Sequence, residues 1–494
     1  MEWVRLRRKI DLSCCLRGGL MQVQSRRLLS LVAFLFPVVS SATNGMNMEG
    51  YGPIALGMGG TSMAYDNGVA AVMNNPATLS LMPDRKRLDV ALGKLGPDVG
   101  ASAGGVTASS DGDAYYMPAI GWAKHYGEWT VGMGMFAQGG MGTDFSGNSF
   151  MGNPAQAAIS PALENRSELS VGRIVLPLAY DAGNNWHFGA TVDFVWAGLD
   201  LKMAMSESQF VDMATTKQTG SVSGSLVDAF GGMYEPFSGA GAGISALHYA
   251  YFDYSNGSDY SGKARGTGFG GKLGFVYEVE KGFNLAASYH AKTWLNDLET
   301  DEANMQMAVN MNSGSGYQDT VIPVSGKMTV KNFQWPAMLA LGVSKQFGQQ
   351  WQLAADVKRI QWADVMQNFT MVFSADNVAS NGGFAGKEMT ATLFQNWDDQ
   401  DVITLGAAYQ VNADLVLRFG ANLSDNPVPN QYLNALFPAV IEDHYTAGFG
   451  YELSQSDALN FAASYAPEVS FASASGVTSS HAQLSWQVMF SRAW

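Results

Sequence analysis

The chain has 494 residues, of which 15% are charged and 12% are aromatic, and its formal net charge is −14 at pH 7. This acidic balance argues against a nucleic acid as partner, because a protein surface that binds nucleic acid needs positive charge. After residue 42, no stretch approaches the roughly 18 consecutive apolar residues of a membrane-spanning helix, which excludes a helical membrane protein.

Residues 1–42 are predicted to be a leader that the mature protein loses. Arg26 and Arg27 precede an apolar segment, and the small residues ending at Ala42 complete the pattern of a secretory signal peptide. The residues before Met21 would make an unusually long lead, so we expect translation to begin at Met21.

Neither metal binding nor catalysis is expected of the mature chain. Both cysteines, Cys14 and Cys15, lie in the leader, which leaves no disulfide and no thiolate metal site. The six histidines show no metal-ligand spacing, so we expect no metal and no cofactor. Ser102 lies in a Gly-x-Ser-x-Gly pattern, but in a predicted loop without the strand-to-helix context of a hydrolase nucleophile. We therefore expect no catalytic residue and no enzyme.

Residues 85–494 alternate between apolar and small polar side chains in repeated stretches of about ten residues. In the clearest stretch, Ile403 and Leu405 share one face, while Thr404 and Gly406 share the other. Only a closed sheet satisfies every backbone group of such strands in lipid. We therefore predict an all-β protein of the bacterial outer membrane, with a fourteen-stranded antiparallel transmembrane barrel.

The predicted connections alternate between short turns and long segments. Such asymmetry is typical of outer-membrane barrels, with short turns on the periplasmic side and long loops outside. The predicted outer loops comprise residues 96–117, 138–168, 204–262, 296–325, 374–398, 424–442 and 467–479.

Residues 43–84 differ from the rest, being rich in Gly, Met, Ala and Asn without sustained alternation. A fourteen-stranded barrel is too wide for its own side chains to fill, so it must hold water or a plug. We expect this segment to be the plug and call it the hatch. Pro76 holds Asn75 in an extended conformation, and the Asn75 amide can bond backbone groups, so Asn75-Pro76-Ala77 is the predicted anchoring turn.

Four parts of the chain resemble, in their order and spacing, the FadL family of outer-membrane transporters for long-chain fatty acids and other hydrophobic compounds. They are residues 57–60 with 74–77, 183–189, 351–362 and 417–438. The resemblance implies that the hatch includes Gly59, Gly60, Asn75, Pro76 and Ala77.

The family resemblance also implies a route for the solute. An apolar groove built from the third and fourth outer loops captures it, and Phe210, Tyr251 and Met305 are the candidate groove residues. Rearrangement of the hatch then relays the solute onward. Family relatives kink the third strand so that the ligand leaves sideways into lipid, and here that strand contains Gly132, Gly134, Gly139 and Gly140, which are compatible with a bulge.

The identity of the substrate depends on basic groups in the barrel. Relatives that bind fatty acids hold the carboxylate with such groups, but the position aligned with one of them falls near Gly198 and Leu199. Arg173 and Arg418 remain as candidates for an anionic ligand. The alternative is that Arg418 is paired with a carboxylate of the hatch or the wall. Long-chain fatty acids are the expected substrate, and aromatic or aliphatic hydrocarbons are the alternative.

Two further function classes remain open at this point. One is a general diffusion porin, against which the hatch and the apolar outer loops argue. The other is an outer-membrane lipid hydrolase or structural adhesin, and the chain lacks the Ser-His constellation of a hydrolase. The expected partners are the hydrophobic solute, outer-membrane lipid, lipopolysaccharide and the barrel assembly machinery, and the protein is expected to be a monomer.

Overall fold

The computed structural model describes residues 44–83, 85–152, 162–258 and 261–494. The predicted leader lies outside these residues, as do the two end residues of the predicted hatch. The described chain forms one 24-stranded sheet. Neighbouring strands pair antiparallel throughout, as the short turns of the sequence led us to expect.

The strands in chain order are β1 Lys86–Leu95, β2 Pro97–Ala103, β3 Val106–Ser109, β4 Tyr115–Tyr126, β5 Trp129–Phe145, β6 Asn165–Gly183, β7 Trp186–Ser206, β8 Gly220–Ser223, β9 Ile244–Tyr254, β10 Ala264–Glu280, β11 Phe283–His290 and β12 Trp294–Leu295. They continue with β13 Leu298–Glu299, β14 Ala303–Asn312, β15 Tyr317–Lys331, β16 Met338–Phe347, β17 Trp351–Ile360, β18 Asn368–Ala375, β19 Glu388–Phe394, β20 Gln400–Gln410, β21 Leu415–Ser424, β22 His444–Glu452, β23 Asp457–Ala472 and β24 Thr478–Ala493.

The helices of the described residues are short. They are α1 Pro53–Gly57, α2 Glu207–Val211, α3 Ser225–Met233 and α4 Glu235–Ser238. Helical turns of other types cover Gly68–Val72, Pro76–Leu81, Phe150–Gly152, Asp212–Thr216, Trp362–Asp364, Ala379–Phe384 and Asn430–Tyr432. Within the described part of the chain, no helix has both the length and the apolar character needed to cross a membrane.

The sheet closes on itself because β24 pairs with β1. The prediction of fourteen strands is wrong, since the backbone pairing closes through eighteen strands. The circuit runs through β1, β4, β5, β6, β7, β9, β14, β15, β13, β10, β11, β16, β17, β20, β21, β22, β23 and β24.

Within this circuit, the strands absent from the prediction are β9, β13, β14 and β15, which begin within segments predicted to be outer loops. β7 pairs directly with β10 as far as Leu199 and with β9 from Leu201 onward. The outer ends of β7 and β10 therefore separate, and the four strands bridge them in the order β9, β14, β15, β13. An open strand edge must be covered. The open edges arise from the positions of β7 and β10 in the fold. The local sequence pattern of the bridging segments therefore does not predict these four strands.

The outer face of the sheet has large exposed apolar side chains, among them Leu176, Leu273 and Ile403. Aromatic rings pack against each other beside the short turns, in the pairs Trp129 with Tyr180, Trp186 with Tyr277, and Trp351 with Tyr409. An apolar band edged by aromatic rings is the surface that an outer-membrane barrel presents to lipid.

The inner face packs against residues 44–83, nearly all of which are buried. α1 and the turn Pro76–Leu81 contact opposite parts of the wall: α1 contacts β21 to β24, and the turn contacts β6, β7 and β10. The segment therefore occupies the space that the strands enclose.

Candidate functional site

The Asn75-Pro76-Ala77 turn is attached to the wall by hydrogen bonds and by close backbone approach. The Asn75 side chain donates to the Met63 carbonyl oxygen at 2.8 Å and to the Phe275 carbonyl oxygen at 3.2 Å. Its own oxygen accepts from the Ala77 N–H at 3.1 Å and so caps the following turn. All three interactions are buried or nearly so, which suits an anchor.

Two wall glycines make room for this turn. A Cβ at Gly274 would lie 2.0 Å from Asn75 Oδ1, and one at Gly189 would lie 2.3 Å from the Ala77 nitrogen. Any side chain at either position would displace the turn. Gly189 closes a segment that the sequence analysis singled out, but its contact with the hatch was not predicted.

The glycine run of the hatch lies against a different part of the wall. Gly59 and Gly60 have φ values of 70° and 84°, a region that favours glycine. The Gly59 N–H donates to the Thr446 hydroxyl at 2.9 Å, and Lys358 Nζ donates to the Gly60 carbonyl oxygen at 2.7 Å. A Cβ at Gly420 would lie only 2.1 Å from the Gly59 nitrogen.

Two wall carboxylates hold the hatch backbone, and the sequence analysis gave neither a role. Asp356 accepts from the Ser62 N–H at 2.7 Å, and Asp89 accepts from the Val69 N–H at 2.8 Å. Both side chains are buried. The usable signal was an acidic residue two positions from a basic one on the same strand face, Asp89 with Arg87 and Asp356 with Lys358.

The wall opens between β4 and β5. Their pairing ends at Ile120 and Met135, although β4 continues to pair with β1 as far as Tyr115. β5 shifts its register against β6 between Ala137 and Gly139, which marks a bulge. Of the four glycines of the predicted exit strand, Gly139 and Gly140 lie at this bulge, whereas Gly132 and Gly134 belong to the part of β5 that is still paired with β4.

A cavity of about 230 Å³ lies at this opening. Most of its lining is apolar, and it includes Tyr116 and Met135, both of which are also exposed on the outer face of the sheet. The cavity therefore reaches from the barrel interior to the lipid-facing surface. Met46 of the hatch borders it, since its carbonyl oxygen would lie 2.2 Å from a Cβ at Gly139.

The predicted groove residues are only partly brought together. Phe210 and Met305 both line a small apolar cavity with Phe230 and Phe252. Tyr251 does not, because Met305 is the register partner of Phe252, and Tyr251 therefore points to the other face of the strand. Its hydroxyl donates to a backbone carbonyl oxygen there at 2.7 Å.

A second outer cavity, of about 190 Å³, lies beside this apolar one and was not predicted. Its lining contains thioether, aromatic, hydroxyl and amide side chains, and none of the described residues that line it is charged. The principal lining residues are Met151, Met203, Met205, Met213, Phe394, Tyr432, Gln209, Gln395 and Gln431. Such a lining suits an uncharged, apolar guest.

Three buried tryptophans lie in contact inside the barrel. The rings of Trp335 and Trp362 are 5.7 Å apart, and those of Trp362 and Trp397 are 5.3 Å apart, both edge to face. One contiguous apolar cluster contains these rings together with Met203 and Met213 of the outer cavity and residues of the wall cavity, namely Val99, Leu169 and Val171. The cluster thus extends from the outer cavity to the wall cavity.

The two predicted basic ligand residues lie apart. Arg173 donates to buried Asp193 at 2.8 Å, and Lys272 contacts the same carboxylate at 2.5 Å. Arg418 donates to the amide oxygen of Asn460 at 2.9 Å. Arg418 lines a polar cavity of about 420 Å³ beside the short turns. The hatch lies between this cavity and the outer cavities. Within the described residues, no cluster of His, Cys, Asp or Glu could hold a metal ion.

Comparison with known proteins gives a consistent result. The family model described as outer membrane protein transport protein (OMPP1/FadL/TodX) matches residues 38–488. The toluene transporter TodX of Pseudomonas putida has a similar structure, with 31% sequence identity and a TM-score of 0.76 over 90% of this chain and 99% of that one. The toluene transporter TbuX of Ralstonia pickettii is 28% identical, with a TM-score of 0.71 over 90% of this chain and 99% of its own.

A further relative was found by sequence comparison. An uncharacterized protein encoded in the 5′ region of a phosphoenolpyruvate carboxykinase gene of Chlorobium limicola is 35% identical over 116 residues. This match covers 22% of the present chain and 57% of that relative. The chain therefore spans less than two thirds of the length of this relative.

Proposed function

Because the chain belongs to the OMPP1/FadL/TodX family of outer-membrane transport proteins, we propose that it takes up uncharged hydrophobic compounds, monoaromatic hydrocarbons above all, and releases them sideways into the outer membrane. The solute enters between the outer loops and leaves through the opening between β4 and β5. The observation that carries this proposal is the single apolar cluster that links the outer cavity to the wall cavity.

The charges along this path favour an uncharged solute over a fatty acid. Arg173 and Lys272 both bond to the carboxylate of Asp193, are buried, and line neither the outer cavity nor the wall cavity. Arg418 lies in the polar cavity beyond the hatch. Among the described residues that line the wall cavity there is no Lys or Arg, and the one acidic residue, Glu168, is paired with Arg166 at 2.6 Å. Long-chain fatty acids are therefore the alternative substrate, which the uptake experiment below compares with toluene.

General diffusion of polar solutes does not fit the barrel interior. A porin needs a wide aqueous lumen, whereas here residues 44–83 are packed between opposite walls. The family and the similar structures are transport channels, which supports uptake rather than catalysis.

The test compares uptake of labelled toluene and labelled oleate by cells with and without the protein. Ala137 lines the wall cavity, so Ala137→Phe should fill the opening and lower toluene uptake. Ala407→Phe is the matched control, because Ala407 pairs with the lipid-facing residues Leu353 and Phe419. Toluene uptake that depends on the protein and falls only in Ala137→Phe is expected. Uptake of oleate but not toluene would contradict the proposal.

A further inference from the structure

A row of polar side chains crosses four neighbouring strands on the inner face of the barrel. Asp356, Thr404, Asn422 and His444 lie on β17, β20, β21 and β22, and each is the direct register partner of the next. Directly paired residues have Cβ atoms about 4.5 to 5.5 Å apart. The four side chains, which we call the polar row, therefore form one continuous buried strip.

Most polar atoms of the row have no hydrogen-bond partner among the described residues, although His444 Nε2 lies 3.7 Å from Glu49 Oε1 of the hatch. One Asp356 oxygen accepts from the hatch backbone. The other Asp356 oxygen, the Thr404 hydroxyl, both amide atoms of Asn422 and both ring nitrogens of His444 bond to none of the described residues. Buried polar groups are almost always hydrogen-bonded, to protein or to water, and leaving one unpaired costs about 1 to 3 kcal/mol. The row is therefore a surface that requires hydration.

The strip continues toward the outer side along β21. Ser424 follows Asn422 by two residues and so shares its face. The Ser424 hydroxyl donates to the Glu442 carbonyl oxygen at 2.7 Å, and its N–H donates to the Asp443 carboxylate at 3.3 Å. Asp425, the next residue, is exposed. Three acidic residues thus lie at the outer end of the strip.

Toward the short turns, the hatch backbone covers the strip at Gly406 and Gly420, which lie next to Thr404 and Asn422 on the same strand faces. A Cβ at Gly420 would lie 2.1 Å from the Gly59 nitrogen, and one at Gly406 would lie 2.5 Å from the Met58 carbonyl oxygen. Immediately beyond this contact is the polar cavity that contains Arg418. Met58, Gly59 and Thr61 of the hatch lie against the wall between the polar row and that cavity.

We propose that the polar row and the polar cavity form a path for water and small cations, separate from the apolar route, which opens when Met58–Gly59 moves away from β20 and β21. Cations are favoured because unpaired oxygen atoms of Asp356, Thr404 and Asn422 face the path. The acidic residues at the outer end act in the same direction.

The experiment measures the conductance of the purified full-length protein in planar lipid bilayers, with a sodium chloride gradient to report ion selectivity. Gly420→Ala places a methyl group where the Gly59 backbone now lies, so it should raise the conductance and make it cation-selective. Gly383→Ala is the control, because a Cβ at Gly383 has no atom within 4 Å. An unchanged conductance in a Gly420→Ala protein that is folded, as shown by heat-modifiable migration on gels, would overturn the proposal.

A second variant locates the current. Thr404→Val with Asn422→Leu removes the unpaired polar atoms at nearly constant volume, so in the Gly420→Ala background it should abolish the added conductance. Thr370→Val is its control, because Thr370 bonds to Thr392 on strands outside the row. Toluene uptake should be the same with and without the row variant. If the added current survives the loss of these polar groups, it flows elsewhere and the proposal is wrong.

Discussion

The hatch meets the wall on two sides, and the two contacts are built differently. On the side of β7 and β10, the polar atoms of Asn75 find partners in the hatch and the wall. On the side of β20 to β22, the approach is equally close at Gly420 and the Gly59 N–H donates to the Thr446 hydroxyl, but the neighbouring Asn422 and His444 have no hydrogen-bond partner among the described residues. We infer that the first contact is an anchor and that the second is the one that can part.

The largest effect is expected when both contacts are removed. Deletion of residues 44–78 should leave a wide aqueous lumen, because eighteen strands enclose more space than their own side chains can fill. Ion conductance in planar bilayers should rise well above that of any single variant, and toluene uptake should be lost. A deletion variant that inserts normally but conducts like the intact protein would show that this segment does not block the lumen.

The second prediction distinguishes the anchor contact of the hatch from its contact at Met58. Gly189→Val should displace the anchor, whereas Gly406→Val should displace only the Met58 side, because each new side chain would meet backbone that cannot yield. The reporters are Thr78→Cys and Ser62→Cys, both at positions that are fully buried. Maleimide should label Thr78→Cys in the Gly189→Val protein, and in the Gly406→Val protein it should label Ser62→Cys alone.

Both cysteines of the sequence lie in the predicted leader. The introduced cysteine is therefore the expected site of maleimide labelling in each variant. Each reporter in an otherwise unchanged barrel is the control and should stay unlabelled. If both reporters react in both variants, the hatch moves as one body and the distinction between the two contacts is wrong.

The smallest effect concerns stability. Asn75→Ala leaves the carbonyl oxygens of Met63 and Phe275 without their donor, so it should lower the free energy of unfolding by about 1 to 3 kcal/mol for each group left unpaired. Asn422→Leu removes a side chain that bonds to no described residue and should be nearly neutral or stabilising. Urea unfolding in lipid vesicles measures both, and equal losses would contradict the comparison.

The parts of the structure that sequence could predict are those set by local pattern. The alternation around Ile403 and Leu405 placed the wall in the outer membrane, and that location and the family are confirmed. The order of the glycine and Asn-Pro-Ala segments led to the family for the same reason. Each motif that carries these signals is only a few residues long.

The errors arose where distant segments decide the structure. The strands β9, β14 and β15 exist because β7 and β10 separate, which no local pattern announces. Tyr251 and Met305 lie on opposite faces because of the register between β9 and β14. Sequence could not select Gly139 from the four glycines of the predicted exit strand, because the approach of the Met46 backbone to β5 is a contact between distant segments.

One measurement tests the central claim of sideways release most directly. Crystals of the protein soaked with bromobenzene would locate the ligand by the anomalous scattering of bromine. The account predicts bromine in the wall cavity between β4 and β5, beside Met135 and Val171. Bromine found only in the polar cavity beside Arg418, beyond the hatch, would contradict it.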